Sequence, residues 1–383
     1  MKLAELPTPS LLLDMDRVER NCAAMKRRAQ ALGVALRPHL KTAKSADVAR
    51  LATQGGITVS TLAEIDYFGR HGFLDITYAV GIAAHKLDAL AALQEKHGLS
   101  LTLLADHRAM VAEVAQRVAL LDAHFALMIE IDCGGGRGGL APDGDELLAL
   151  AQLIRASSHL RLQGVLTHAG QSYATPGREA IAAVAEAERA AAVLAATRLR
   201  AAGFEVPVVS VGSTPTAMFA RNLSGVTEMR PGVYTLFDLD QAALGVCGID
   251  DIAASVLASV IGHNPRSQRV LIDAGGLALS KDLSANGFGS GFPDVGYGLI
   301  CALDGGLPLA GLRVAEVHQE HGFIASAGTA DALFRQLPIG SRVRILPNHA
   351  CITAAAYDRY YVVDSELDGG KSVVDTYDRI NGW

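Results

Sequence analysis

Short apolar runs alternate with longer Ala- and Leu-rich stretches from about residue 34 to about residue 234. The runs resemble buried strands, and the longer stretches have the 3.6-residue period of amphipathic helices. We predict eight strands: residues 34–40, 57–61, 75–80, 101–106, 125–132, 162–168, 207–212 and 225–232. The helices predicted between them include residues 44–54, 84–96, 107–119, 144–156 and 177–203.

Repeated βα units predict an α/β fold, either a closed (β/α)8 TIM-type barrel or a doubly wound open sheet. Polar or glycine-rich segments follow nearly every predicted strand, and in a barrel they would all open on one face. We therefore favour the barrel, and we expect active-site residues at the C-terminal ends of its strands.

After about residue 246 the pattern changes to short β-like runs separated by Gly, Pro and Asp turns. The runs are residues 255–263, 269–276, 314–324, 341–351 and 359–364. They predict a mostly β C-terminal domain. We assign residues 10–245 to the barrel and residues 1–9 plus 246–383 to the second domain, with the SLLLD strand at residues 10–14 shared between them.

Composition narrows the classes of function. Hydrophobic residues make up 50% of the chain and charged residues 19%, which excludes a disordered protein. Lys and Arg number 34 against 40 Asp and Glu, a net charge of −6, so the basic field expected of a nucleic-acid-binding protein is absent. The partner is therefore expected to be a small molecule. The five cysteines are few and scattered, which predicts a reduced protein without structural disulfides. The sequence shows no signal peptide and no apolar span long enough to cross a membrane, so we expect a cytoplasmic protein that does not bind a membrane.

Lys41 is the first candidate for chemistry because it follows the first predicted barrel strand. An amine that is partly desolvated near other cations is suited to forming a Schiff base. A surface lysine just past a strand end is the more common case, so position alone leaves both interpretations open.

Two tracts near the end of the predicted barrel could bind a phosphate group. The first tract, at the end of the seventh predicted strand, is Gly212, Ser213 and Thr214. The second tract, at the end of the eighth, is Gly232 and Val233. Loops after the last two strands of a barrel present N–H groups and hydroxyls to phosphate, and small residues let the backbone approach the oxygens. Either tract alone could be an ordinary turn, but their occurrence at both strands favours a phosphate site.

Arg137 lies in the glycine-rich segment 132–139 after the fifth predicted strand. The segment is not a dinucleotide-binding fingerprint, because no helix opens immediately and no acidic residue follows at the required distance. Arg137 could be delivered onto a cofactor ring, or it could be solvated in a flexible turn.

His349 and Cys351 lie two residues apart in the second domain. In a β-strand their side chains would point to the same face and could reach one cation, and an imidazole with a thiolate suits Zn2+. Two ligands make a weak motif, because substrate, water or another side chain must complete the shell. A buried histidine beside a buried cysteine explains the spacing equally well.

These tracts together resemble a known group of enzymes. From the first residues to about residue 363, the sequence is similar to the D-serine dehydratase, D-threo-3-hydroxyaspartate dehydratase and D-threonine aldolase group of fold-type III, alanine racemase-like pyridoxal-phosphate (PLP) enzymes. The resemblance implies an N-terminal PLP-binding barrel, a C-terminal β domain with metal ligands, and a homodimer. The motifs that carry it are TPSLLLD, RPHLKT, DCGGGRGG, THAGQSY, GSTPT, MRPGVY, QEHG and PNHAC.

The resemblance also implies roles for individual residues. Lys41 would be the catalytic Schiff-base lysine, His168 would pack against the pyridine ring, and Arg137 would face the pyridine nitrogen. His349 and Cys351 would be metal ligands. The other residues implied to contact the cofactor or to line its phosphate loop are Tyr173, Gly212, Ser213, Thr214, Gly232 and Val233.

The second metal ligand separates the branches of this group. The resemblance associates His-x-Cys, as at His349 and Cys351, with dehydratases, and His-x-Asp with aldolases. A thiolate also favours Zn2+, whereas a carboxylate would suit Mn2+ or Mg2+. The resemblance thus implies a PLP- and zinc-dependent lyase that converts D-serine or D-threo-3-hydroxyaspartate to a 2-oxo acid and ammonia, with Mn2+ or Mg2+ as alternative metals.

Two other functions stay open. A metal-dependent D-threonine-type aldolase would break the Cα–Cβ bond and release glycine and an aldehyde. A non-catalytic PLP-binding protein would share the lysine and the phosphate loops, but such single-barrel proteins lack a second β domain. Glu320 and His321 either line the substrate side of the site or stabilise a turn as a charged pair.

Overall fold

The structure is a computed structural model that describes residues 1–288 and 291–383. Its strands, in chain order, are β1 Ser10–Asp14, β2 Ala35–Leu36, β3 Ile57–Val59, β4 Asp75–Gly81, β5 Ser100–Ala105, β6 Phe125–Ile131, β7 Leu160–Thr167, β8 Val208–Val211, β9 Glu228–Met229, β10 Ala254–Asn264, β11 Arg269–Ile272, β12 Leu299–Cys301, β13 Pro308–Val317, β14 Gly322–Ser326, β15 Arg342–Leu346, β16 Arg359–Val363 and β17 Asp375–Asp378. Its α-helices are α1 Met15–Leu32, α2 Ala46–Ala52, α3 Leu62–Arg70, α4 Leu87–His97, α5 Arg108–Leu121, α6 Asp145–Ala156, α7 Arg178–Ala201, α8 Thr214–Phe219, α9 Leu239–Ala243, α10 Gly276–Leu279, α11 Ala330–Gln336, α12 Ala350–Ala354 and α13 Ser365–Asp368.

The chain divides into two compact units. One contains residues 24–232 with residues 382–383, and the other contains residues 1–23 with residues 233–381. The predicted limits of 10–245 for the barrel, and 1–9 plus 246–383 for the second domain, stay a prediction.

The unit built on residues 24–232 is the predicted (β/α)8 barrel. Its eight-stranded sheet has the order β2-β9-β8-β7-β6-β5-β4-β3, and neighbouring strands are parallel. A parallel bridge between His39 and Thr58 joins the chain after β2 to β3, and Leu40 N–H donates to the Thr58 carbonyl at 2.9 Å. This bridge closes the ring, so the barrel prediction is confirmed and the open sheet is excluded.

The outer helices bury one apolar face each. In α6 the buried residues recur at the spacing of a helical face: Leu147, Leu150, Ala151 and Ile154. In β6 five of the seven residues are buried, as expected for a strand covered by helices on one side and by the barrel interior on the other.

Every predicted barrel strand is present, but the first and last are much shorter than predicted. Only Ala35–Leu36 and Glu228–Met229 are paired as strands within the predicted segments 34–40 and 225–232. Each segment contains a proline, Pro38 or Pro231, which has no N–H to donate to a sheet.

The other unit is mostly β, as predicted. Strands β10, β11, β14, β13, β12 and β15 pair in that order, and a further pairing between β10 and β11 closes them into a six-stranded antiparallel barrel. Strand β1 pairs antiparallel with β10 and parallel with β16, which extends the sheet to β17. Among the described helices of either unit, none has the length and apolar character that would let it cross a bilayer.

The PNHAC segment is not a strand, and this part of the prediction is wrong. Strand β15 ends at Leu346, and Pro347 then interrupts any continuing hydrogen-bond ladder. His349 is the N-cap of α12, and the Ala350 N–H donates to the Asp238 carboxylate at 2.9 Å. His349 and Cys351 therefore lie at a strand-to-helix turn and in the first turn of a helix.

Candidate active site

A cavity of about 310 Å³ lies at the C-terminal ends of the barrel strands. Lys41, Arg137 and His168 all line it, so three residues predicted from separate motifs come together. The other lining residues are His39, Ser60, Ala79, Val80, Gly81, Leu104, Glu130, Leu166, Gly212 and Arg230.

Lys41 extends from a turn that is anchored on both sides. Three residues later, Lys44 has a positive φ of 49°, and its N–H donates to the Leu40 carbonyl at 2.7 Å. The Lys44 ammonium pairs with the fully buried carboxylate of Glu64, which also accepts the Ser60 N–H at 2.6 Å. Glu64 therefore ties the turn that carries Lys41 to the end of β3.

His168 follows β7 and has a defined hydrogen bond. Its Nδ1 lies 3.0 Å from the Gly212 carbonyl, and because a carbonyl only accepts, Nδ1 carries the proton. Burial and the nearby charges of Lys41 and Arg137 lower the pKa of His168 to about 3, despite this hydrogen bond. The imidazole is therefore neutral near pH 7, with Nδ1 as its donor.

The glycine-rich segment after β6 is a folded loop. The Asp132 carboxylate accepts the N–H groups of Gly134 and Gly136 at 2.8 and 3.2 Å, and the Gly139 N–H donates to Asp106 at 2.9 Å. These bonds shape the loop that brings the exposed Arg137 to the cavity.

The predicted phosphate loop leads into α8, and most of its donors are already in use. The Gly212 N–H donates to Glu188 and the Ser213 N–H to Thr216, both at 3.0 Å. The Thr214 N–H makes a long contact of 3.4 Å to the Tyr173 hydroxyl. Thr214 Oγ1 is buried and has no hydrogen-bond partner among the described residues. Thr214 therefore offers the donors best placed for an added anion.

Gly212 and Gly232 occupy positions that leave no room for a side chain. Gly212 has a φ of +126°, and a Cβ there would lie 2.8 Å from the Arg230 nitrogen. A Cβ on Gly232 would lie 2.6 Å from the His39 carbonyl oxygen. The structure places Val233 in a 3-10 helix, Val233–Thr235, at the start of the other unit's second segment.

Two charged residues of the cavity, the buried Arg230 and the half-buried Glu130, were not singled out from the sequence. Arg230 donates to the Thr167 carbonyl at 2.6 Å and to Ser210, and burial lowers its pKa to about 10 while Glu228 opposes the shift. Burial also raises the pKa of Glu130, while Arg137 opposes that shift. Both residues could have been noticed in the sequence, because each is a charged side chain within a predicted barrel strand: Glu130 in segment 125–132 and Arg230 in segment 225–232.

A second cluster of polar groups surrounds His349 in the unit of residues 233–381. Its Nδ1 lies 2.8 Å from Asp282 Oδ2. Burial lowers the pKa of His349, but hydrogen bonds to Cys351 and Asp282 and the charge of Asp238 together raise it to about 10. Burial and Asp240 raise the pKa of Asp238 to about 7. Sequence reasoning missed Asp282, which is far from the PNHAC motif along the chain.

The side chains of His349 and Cys351 are hydrogen-bonded to each other, although they do not lie in a strand, and their role as metal ligands stays a prediction. Across residues 1–288 and 291–383, no group of three or more His, Cys, Asp or Glu side chains could hold a metal ion. Any ion at this pair would therefore need ligands from substrate or water.

Comparison with known proteins extends over the whole chain. The family model described as "Alanine racemase, N-terminal domain" matches residues 13–240, and a serine dehydratase domain model matches residues 253–363. The chain is 45% identical to the D-threo-3-hydroxyaspartate dehydratase of Delftia sp. (strain HT23), covering 100% of the chain and 99% of that protein. It is 31% identical to the D-serine dehydratase of Dictyostelium discoideum, with 94% of each covered.

Solved structures agree with the sequence comparison. A structure of a cysteine-to-alanine mutant of D-threo-3-hydroxyaspartate dehydratase in the metal-free form matches with a TM-score of 0.94 and 43% identity, covering 100% of both chains. The closed parallel barrel, the antiparallel β domain and these matches lead to one assignment. The chain belongs to the alanine racemase-like, fold-type III family of pyridoxal-phosphate enzymes, with a C-terminal domain of the serine dehydratase type.

Proposed function

We propose that this protein is a PLP-dependent dehydratase that converts a D-3-hydroxy amino acid to a 2-oxo acid and ammonia, with a divalent metal as second cofactor. The observation that carries the proposal is the convergence of Lys41, Arg137 and His168 on one cavity at the C-terminal end of the barrel. The similarity to two enzymes named as dehydratases supports the reaction type.

The residues around the cavity fit PLP. Thr214 Oγ1 is a buried hydroxyl with no partner in the described chain, and it lies in the loop that Gly212 begins. Thr214 and this loop would hold the phosphate, the amine of Lys41 would hold the aldehyde carbon, and Arg137 and His168 would flank the ring. When bound, PLP supplies a conjugated ring that draws electron density from the substrate Cα.

The chain's own groups then handle the proton and the geometry. In this proposal the Lys41 amine takes the Cα proton as general base. His168 remains neutral and donates from Nδ1 to the Gly212 carbonyl, which fixes the plane of its imidazole. Because a guanidinium only donates hydrogen bonds, Arg137 would donate one to the pyridine nitrogen and leave that nitrogen unprotonated.

The donor set at His349 and Cys351 fits a metal with a preference for nitrogen and sulfur, and Zn2+ is the metal we propose ahead of Mn2+ or Mg2+. Asp282 would hold the imidazole through Nδ1. The metal would act as a Lewis acid on the β-hydroxyl, which is otherwise a poor leaving group.

The overall reaction balances. Loss of the Cα proton and the β-hydroxide removes one water and leaves an enamine, whose tautomer is hydrolysed by one water to ammonia and a 2-oxo acid. D-serine would give pyruvate and D-threo-3-hydroxyaspartate would give oxaloacetate.

A product assay separates this proposal from its alternatives. The purified protein is incubated with D-serine, D-threo-3-hydroxyaspartate and D-threonine, and 2-oxo acid and glycine are both measured. We expect 2-oxo acid from at least one of the first two substrates. Glycine as the main product would instead indicate an aldolase, and PLP binding with no product would indicate a non-catalytic PLP-binding protein.

We further propose a homodimer that works in the reducing cytoplasm. None of the five cysteines, all of which lie in the described part of the chain, forms a disulfide, which supports a reduced protein. Light scattering coupled to size-exclusion chromatography tests the assembly, and a monomeric mass at micromolar concentration would contradict it.

A further inference from the structure

Glu188 is a buried carboxylate to which the sequence assigned no role. It lies within α7 and is only 1% exposed. Its Oε1 accepts the Ala169 N–H at 2.9 Å and the Gly212 N–H at 3.0 Å. The Thr216 hydroxyl also bonds to the carboxylate. One side chain therefore satisfies three buried donors.

The three donors belong to two loops of the candidate active site. Ala169 directly follows His168 after β7, whereas Gly212 and Thr216 flank Thr214 after β8. A direct bond also joins these loops, because His168 Nδ1 donates to the Gly212 carbonyl. Gly212 is thus held through its N–H by Glu188 and through its carbonyl by His168.

We propose that Glu188 is a positioning residue that fixes both loops so that His168 and Thr214 can receive PLP together. This inference rests on the proposed function. By occupying the Gly212 N–H, Glu188 also leaves Thr214 as the nearest donor for the phosphate, which agrees with the partnerless Thr214 Oγ1 in the described chain.

A carboxylate suits this task better than a neutral side chain. Hydrogen bonds from N–H groups to an ionised acceptor are stronger than those to a neutral one, and a carboxylate offers enough lone pairs for all three donors. Burial raises the pKa of Glu188, but the hydrogen bonds from Thr216, Ala169 and Gly212 and the positive charge of Arg230 oppose that shift and favour the carboxylate.

The test uses the full chain with two substitutions and one control. Glu188→Ala removes the acceptor, and Glu188→Gln keeps its shape and one acceptor oxygen without the charge. Glu186→Gln is the control, because Glu186 lies on the same helix but is exposed and pairs with Arg189. Each cofactor-depleted protein is titrated with PLP by its visible absorbance, and amide hydrogen exchange is followed by mass spectrometry.

We expect the Kd for PLP to rise about tenfold or more in Glu188→Ala and by a smaller factor in Glu188→Gln. Without cofactor, exchange should accelerate in peptides that span residues 167–175 and 209–217 and stay unchanged in β5 and β6. Glu186→Gln should match the wild type in both measurements.

A Kd within twofold of the wild type in both Glu188 variants would overturn the inference, as would unchanged exchange in the two loop peptides. If Glu188→Ala fails to fold, Glu188→Gln alone decides. Failure of the wild-type protein to bind PLP would instead overturn the proposed function, and the exchange data would then show separately whether Glu188 holds the loops.

Discussion

Asp282 and His349 form a carboxylate–imidazole pair with 2.8 Å between Oδ2 and Nδ1. The pair fixes the ring orientation and leaves Nε2 as the nitrogen available to a metal ion. Carboxylates that hold metal-binding histidines in this way commonly change metal affinity by about 10- to 100-fold when they are removed.

We therefore predict that Asp282→Asn weakens Zn2+ binding by roughly tenfold or more. The amide keeps the shape of the side chain but loses the charge that supports the imidazole. Competition with a chromogenic chelator measures the affinity. Asp375→Asn, in the exposed start of β17, is the control, and equal affinities of the two variants would show that Asp282 does not support a metal ligand.

Removing the metal should stop the reaction without releasing PLP. We expect a strong chelator to abolish 2-oxo acid formation while the visible PLP band stays, because none of the residues proposed to hold PLP is a proposed metal ligand. Added Zn2+ should restore the activity. Full activity in the presence of chelator would indicate that His349 and Cys351 do not hold a catalytic metal.

Lys41→Ala should remove both the visible cofactor absorbance and all measurable turnover, because no other amine is assigned to hold the aldehyde. Absorbance spectra and the 2-oxo acid assay check this. Lys96→Ala is the control, since Lys96 pairs with Asp66 on an exposed surface. Retained activity in Lys41→Ala would refute the assignment of the Schiff-base lysine.

Gly212→Ala should lower the free energy of unfolding by about 1–3 kcal/mol and weaken PLP binding, because the new Cβ would lie 2.8 Å from the Arg230 nitrogen. Gly177→Ala is a matched control: its φ is also positive, at 89°, but a Cβ there meets no atom within 4 Å. Urea unfolding and PLP titration compare the two. Equal effects would mean that backbone conformation, and not the close approach, explains the glycine.

The low pKa of His168 predicts a pH dependence of stability. The folded protein leaves this ring neutral down to about pH 3, whereas the unfolded chain protonates it near pH 6.5. The unfolded state therefore binds more protons across this window, and the free energy of unfolding falls as the pH is lowered, by up to about 1.4 kcal/mol per pH unit from this group.

Urea unfolding of the cofactor-free chain at several pH values, in wild type and His168→Gln, measures this contribution. The variant should show a shallower decline on acidification. His124→Gln, which replaces an exposed imidazole, is the control. Parallel curves for wild type and His168→Gln would contradict the prediction.

The sequence predicted the barrel because its strands are apolar on both faces and each is followed by polar or glycine-rich residues. It predicted the lengths of β2 and β9 less well, since Pro38 and Pro231 lack the N–H group that would continue each ladder. The PNHAC segment was mispredicted for two reasons. Pro347 ends the β15 ladder, and the helix start depends on the carboxylate of Asp238, which is distant along the chain.

Residues of the candidate site were predicted where the neighbouring sequence is distinctive. Lys41 directly follows a predicted strand, and Arg137 lies in a glycine-rich segment. Glu188 was invisible because Glu186, two residues earlier in the same Ala-rich helix, is an exposed surface residue of the same type. Only the packing of α7 against the ends of β7 and β8 distinguishes them. Asp282 was missed because its relation to His349 exists only in three dimensions.

The pairing of β2 with β9 bears on the order of folding. The β2–β9 pairing joins Ala35 to Glu228, the largest sequence separation in the parallel sheet, and Lys41 follows β2 by a few residues. Because distant pairings bear the largest chain-closure cost, this seam should form after the local β4–β7 pairings. The lysine would then reach its place only when the ring closes, so a partly folded chain would have no complete site to capture its cofactor.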